Sequence, residues 1–464
     1  MVKSNKVSPK AACYLVHRMK TFISRLYCLA VPVCLLAASA MAQSSIPSAR
    51  KLLVPEQVWQ VPDHNNYDSD TSLYSYHRKL ESPAFAAFWA KDFGDTPEKY
   101  FDMPGILKEC ERFYQYYVDT LQFVEKGRSV SDAYKTLVYV TNSKDATAYG
   151  GGAGDKVGVL WVTPGRINKQ PFGAMAHELG HVFQYYVKLD GHWGYSSSPK
   201  GSRGQAIFEM TSQYMLWQVY PLWMTFENYH LQSFMKQTHY AFLHEKNQYC
   251  SPYVLEYWSG KHGKDFIGRM WRNATPGEDP VTTYKRLNKI DQSTLNDELF
   301  DACRRFVTWD IDRIRDVAAP YANQHISPST TVTDGWHRIS AANCPQNYGY
   351  NAIRLNVPAS GTKVKLQFKG LTGVAGYRNL QPDKAGWRYG FVAMLTDGKR
   401  VYGNVNRSTI GSAQFTVPAN TEHLWLVVSG APTGHWEHIT DGKDETDEQW
   451  PYEFKLDGAT VATK

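Results

Sequence analysis

His177-Glu178-Leu179-Gly180-His181 holds the residues best suited to chemistry. On an α-helix, residues four apart share a face, so the two imidazoles stand one turn from each other and can reach one metal ion. Glu178, one residue along, then points at the ion's open position and acts as general base rather than ligand. Such an arrangement belongs to zinc hydrolases. A catalytic zinc takes three protein ligands and keeps one position for water, so a third ligand has to come from elsewhere. Residues 203–220 have amphipathic helical spacing and place Glu209 28 residues after His181. Asp190 and His192 are the nearer alternatives. A competing reading leaves the histidines as hydrogen-bonded core residues and Glu209 as an ordinary surface acid.

With these residues in view, residues 80–320 resemble the zincin metallopeptidases, and among them the gluzincin branch, whose third ligand is a glutamate on the next long helix. The resemblance rests on HELGH and, more weakly, on Phe208-Glu209-Met210-Thr211-Ser212-Gln213-Tyr214. It implies Zn2+ held by His177, His181 and Glu209, with Glu178 taking the water's proton and passing it to the leaving amine. It also implies a Tyr or His donor for the oxyanion, for which Tyr257 ranks ahead of Tyr253 and His262. Many gluzincins carry an acidic residue one turn after the glutamate ligand, where it orients a histidine; here Gln213 occupies that place. The longer metzincin motif is absent, since Gln184 and Val187 stand at its remaining positions. An aspartate-ligand branch would use Asp190.

These residues need elements to hold them. Apolar side chains at Met175, Leu179, Val182, Phe183 and Tyr186 give residues 171–187 one buried helical stripe, with the histidines at its edge. Residues 157–162 read as a strand whose edge suits an extended substrate, and Gly150–Gly154 reads as a loop. Strands are expected at 84–90 and 136–141, and helices at 106–125, 222–242, 252–259, 263–272 and 295–317. The fold class is therefore α+β: a zincin-like catalytic domain over 43–328, with a mixed sheet and a helical second half, followed by a C-terminal all-β sandwich over 329–464. The sandwich follows from period-two alternation at 364–368 and from a hairpin of 391–395 and 400–405 about Asp397-Gly398, with further strands near 353–357, 414–417, 424–428 and 452–456.

Residues 1–42 read as a signal peptide. Lys20 and Arg25 precede an apolar run ending at Ala38, and Ala40-Met41-Ala42 offers a cleavage site before Gln43. Removing its six cations takes the formal charge from +7 to +1, so no polycation remains for nucleic acid, and no membrane association is expected after cleavage. Secretion or a periplasmic location follows. Cys110, Cys250, Cys303 and Cys344 then allow two disulfides by any of three pairings, or stay as free buried thiols. The expected function is a secreted zinc endopeptidase acting on a protein or glycoprotein. The alternatives are a glycan- or glycoprotein-directed, enhancin-like module whose sandwich binds carbohydrate, and a non-catalytic interaction protein. Trp336, Trp387, Trp425, Trp436 and Trp450 of the C-terminal region read mostly as packing, and the acidic run 441–448 as a solvated loop rather than a calcium site.

Overall fold

The computed structural model describes residues 49–93, 99–142, 147–195 and 205–463. The expected signal peptide lies outside them. Short runs of β-branched and aromatic residues build the first sheet from β1 (Lys79–Glu81), β2 (Phe85–Trp89), β3 (Thr136–Val140), β4 (Tyr149–Ala153) and β5 (Val157–Val162). Its order is β1-β2-β3-β5-β4, with β2, β3 and β5 parallel and both outer strands antiparallel. β3 and β5 are buried along their whole length because both faces are covered. Val138, Val140, Leu160 and Val162 share a core with α1 (Met103–Gln115) and with the helix that carries HELGH. Leu137, Tyr139, Val159 and Trp161 pack on the other side with Val58 and Tyr74, from the irregular stretch before β1.

A short α2 (Pro164–Ile167) leads into the motif helix α3 (Gly173–Leu189), and α4 (Gln205–Val219) follows. The helical half continues through α5 (Trp223–Phe226), α6 (Asn228–Gln237), α7 (Tyr253–His262), α8 (Phe266–Asn273), α9 (Pro280–Asn288), α10 (Gln292–Val307) and α11 (Arg315–Ala318). The single helix expected over 222–242 divides at Glu227, whose backbone leaves the helical region. The one expected over 295–317 ends at Val307 and resumes only as α11. Sequence reading missed α9, although Asp279 caps it by accepting the Thr282 N–H at 2.8 Å and Pro280 starts it.

The remaining strands are β6 (Ser329–Thr331), β7 (His337–Ile339), β8 (Tyr350–Leu355), β9 (Lys363–Gly370), β10 (Trp387–Leu395), β11 (Arg400–Tyr402), β12 (Ile410–Thr416), β13 (Thr421–Gly430) and β14 (Tyr452–Asp457). They form two sheets, β11-β10-β13-β8 and β12-β9-β14-β7-β6, with antiparallel neighbours throughout. Leu366, Phe368 and Phe454 of one meet Tyr389, Phe391 and Leu426 of the other in a shared apolar layer. The opposite face of the four-stranded sheet is also apolar. Tyr350, Ala352, Val392, Trp425 and Val427 join the core of the helical half, where α10 lies against β10 and β13. The architecture changes near Pro328 while the packing continues, and Pro47–Lys464 forms one compact unit. The chain is α+β. Among the described residues no helix is long and apolar enough to cross a membrane.

Candidate metal centre

The stripe read from sequence holds α3 in place: Met175, Leu179, Val182, Phe183 and Tyr186 are all buried. Two tyrosines lock it further. Tyr117 Oη donates to the Ala176 carbonyl at 2.9 Å, and Tyr186 Oη lies 2.7 Å from Thr136 Oγ1 on β3. The 150–154 stretch is no loop; most of it forms β4, the edge strand of the first sheet. Gly150 and Gly152 are there because α3 lies directly on them. A Cβ on Gly150 would stand 1.9 Å from the Glu178 carbonyl oxygen, so any side chain would drive strand and helix apart. The glycine of HELGH does the same toward α4, since a Cβ on Gly180 would come within 3.0 Å of Ser212 Cα. Both close approaches aim polar side chains into one cleft.

There, His177 Nε2, His181 Nε2 and Glu209 Oε2 converge. Glu209 Oε2 lies 3.1 Å from His177 Nε2 and 3.2 Å from His181 Nε2, and the two nitrogens are 3.2 Å apart. Ligands bound tetrahedrally to zinc at ordinary bond lengths stand roughly 3.3 Å from one another, which these separations match closely. The outer ring nitrogens have acceptors. His177 Nδ1 faces Gln213 Oε1 at 3.3 Å, and His181 Nδ1 faces Gln184 Oε1 at 3.0 Å. Each amide is fixed the right way round, because its NH2 donates to a backbone carbonyl: Gln213 to Tyr249 at 2.9 Å and Gln184 to Phe208 at 2.8 Å. Protons on Nδ1 leave both Nε2 lone pairs turned toward a carboxylate oxygen. Three electron-rich atoms so placed call for a cation between them, and two imidazoles with one carboxylate suit Zn2+.

Electrostatics agree. Burial opposes charge on Glu209, yet the neighbouring His177 and His181 rings outweigh it and hold the carboxyl far below its ordinary range. For His181 burial again works against charge, but Glu209 and the nearby Glu178 raise its pKa. Glu178 lies beside these three side chains without joining them. Burial is the main influence raising its pKa, moderated by His177, His181 and the Gly150 backbone. The cleft has a volume of about 570 Å³, and the edge of β4, Glu178, Glu227, His230 and Tyr249 contribute to its lining.

Of the residues singled out from sequence, His177, Glu178, His181 and Glu209 come together. Asp190 and His192 stay apart: Asp190 ends α3 and accepts the Val130 N–H at 2.8 Å. Tyr257 needs correction, because its hydroxyl donates to Asp301 Oδ2 at 3.1 Å in a separate cavity lined by Arg305 and Arg313. Tyr253 is buried in the core and His262 Nε2 bonds Tyr284. Of the tyrosines lining the cleft, Tyr149, Tyr229 and Tyr249, it is Tyr249 that shares a hydrogen bond with Glu209; burial and that carboxylate push its phenol up to about 12. The substrate edge also moves, since β5 is paired on both sides and β4 carries the outer edge. All four cysteines of the described chain are buried free thiols. Trp387, Trp425 and Trp450 are core, and Lys369 and Lys384 stand over Trp336 and Trp436.

Over residues 44–463 the chain matches the model of a family of unknown function, DUF6055, and it belongs to that family. No curated protein matches it. Two solved structures are similar over part of the chain. One is a Yersinia pseudotuberculosis-derived mitogen, at 11% identity over 30% of this chain and 90% of that one, with a TM-score of 0.18. The other contains accessory secretory protein 1,2 and 3 in Streptococcus pneumoniae, at 10% identity over 28% of this chain and 83% of that one, with a TM-score of 0.17. Likenesses this slight carry no argument about function.

Proposed function

We propose that this chain is a zinc-dependent endopeptidase of the gluzincin kind, with a zincin-like domain followed by a β-sandwich, exported from the cell. The observation that carries the reading is the meeting of His177 Nε2, His181 Nε2 and Glu209 Oε2 within 3.1–3.2 Å, with a carboxylate left over beside them. Those three residues would hold the ion, and zinc bound there would supply an activated water at neutral pH and polarise a carbonyl oxygen. Glu178, anchored by the Gly150 backbone, accepts the water's proton and delivers it to the departing amine. The outer edge of β4 offers unpaired backbone groups to an extended peptide, which suits recognition of main chain rather than of one side chain. Tyr249, which lines the cleft beside Glu209, is the hydroxyl best placed for a developing oxyanion.

A glycoprotein substrate is the second reading. Trp59 and Tyr149 meet edge to face at 4.9 Å beside the edge strand, with 54% and 38% of their surfaces exposed, and such rings suit a sugar face. One experiment serves both readings. Digestion of a broad peptide library and of matched glycosylated and bare proteins should give cleavage that a chelator abolishes and zinc restores. Faster cleavage of the glycosylated member, lost in Trp59→Ala, selects the second reading; no chelator-sensitive cleavage of any substrate removes both.

A further inference from the structure

Away from the cleft, a second group of ligating side chains converges. His244 and Glu245 lie between α6 and α7, and His438 and Asp447 lie in the connection from β13 to β14. Glu245 Oε2 stands 3.1 Å from His244 Nδ1 and 2.8 Å from His438 Nε2. The two imidazoles stack, with centroids 4.4 Å apart and planes 28° from parallel. Asp447, buried behind them, takes the far nitrogens: Oδ2 is 2.9 Å from His244 Nε2 and Oδ1 is 3.8 Å from His438 Nδ1. One carboxylate thus faces the near nitrogens of both rings and another faces the far ones.

We propose that His244, Glu245 and His438 form a second divalent-metal site, structural rather than catalytic, which takes zinc, with Asp447 orienting the His244 ring. Their ligand atoms lie within 4.8 Å of one another. His244 is held in the tautomer that a ligand requires. Its Nδ1 accepts the Lys246 backbone N–H at 3.1 Å and its Nε2 lies against Asp447, so the near nitrogen is unprotonated. A metal takes that lone pair over from the N–H. Glu245 turns Oε2 toward both rings, while Oε1 accepts the Gly442 N–H at 2.9 Å. Charge favours an ion as well. The Asp447 carboxylate is buried and the Glu245 carboxylate is half-buried, and the nearby Lys246 ammonium is engaged by Asp444 and Tyr240. Buried carboxylates left without a cation are costly. Glu245 and His438 lie 193 residues apart in sequence, so a bound ion would tie the β13–β14 connection to the helical half and stabilise the fold by closing a long loop.

The test uses the full mature chain, stripped with a chelator, reloaded with Zn2+, and assayed for metal per chain and for Tm. His181→Ala, which disables the cleft site, should retain one zinc, and zinc should raise its Tm. Adding His438→Ala should remove both the metal and the Tm response. Glu245→Gln, which keeps shape and hydrogen bonding, takes the place of His438→Ala if that variant does not fold. Zinc absent from His181→Ala, or retained in the double variant, overturns the second site. The first of these outcomes leaves the cleft site standing. One zinc in the wild type that survives His181→Ala and is lost in His438→Ala supports the second site and removes the catalytic reading instead.

Discussion

Gln213 Oε1 lies 3.3 Å from His177 Nδ1 while the same amide donates to the Tyr249 carbonyl, so a neutral glutamine holds the ring with its acceptor turned the right way. The place where the gluzincin resemblance puts an acidic residue therefore keeps its orienting role without the charge.

Removing that acceptor should weaken metal binding without removing a ligand. Gln213→Leu should lose about 10- to 100-fold in zinc affinity, the range for partners of metal-bound histidines, whereas Gln213→Glu should bind at least as tightly as the wild type. Competition against a chelator of known affinity measures both. Equal affinities in all three proteins would show that Gln213 does not orient His177.

Two tyrosines separate the cleft from its neighbour. Tyr249→Phe should lower kcat by about 10- to 1000-fold with little change in KM, because the hydroxyl serves the oxyanion more than the ground state. Tyr257→Phe should leave kcat close to wild type, since its hydroxyl is spent on Asp301. The reverse ranking of the two variants would return the donor role to Tyr257.

His325 is buried where the helical half meets β8 and β13, against Tyr350 and Trp425, and burial depresses its pKa to about 3. In the unfolded chain the ring titrates near 6.5. Its contribution to stability is complete above that value and is lost as pH falls toward the folded pKa, because only the unfolded state binds the proton in between. Urea unfolding at constant zinc should show the wild type losing up to roughly 1.4 kcal/mol per pH unit more than His325→Gln between pH 6 and pH 5. Parallel pH slopes for the two proteins would mean that His325 is protonated in the native state.

What the sequence shows of this site is what local spacing can encode. The i, i+4 histidines and the apolar stripe at Met175, Leu179 and Val182 specify a helix and its buried face. Glu209 could be found because it sits on a second periodic segment. β4 is not legible because local propensity takes Gly150-Gly151-Gly152 as a loop, whereas Gly150 and Gly152 answer to a helix pressed against them from elsewhere in the chain. Tyr249 has no local signature either. It lies in an irregular stretch after the short 3-10 turn at Glu245–Asn247, and long-range packing alone brings it to Glu209. β10 was placed too short because both its faces are buried, which erases the alternation that marks a one-sided strand.

The most direct test of the catalytic claim is Glu178→Gln. The substitution keeps the side chain's shape and its capacity to accept the Gly150 N–H while removing the base, and Glu178 is no ligand. Zinc content and Tm should match the wild type, and hydrolysis of a substrate that the wild type cleaves should fall by several orders of magnitude. Full zinc occupancy together with wild-type cleavage in Glu178→Gln would contradict the assignment.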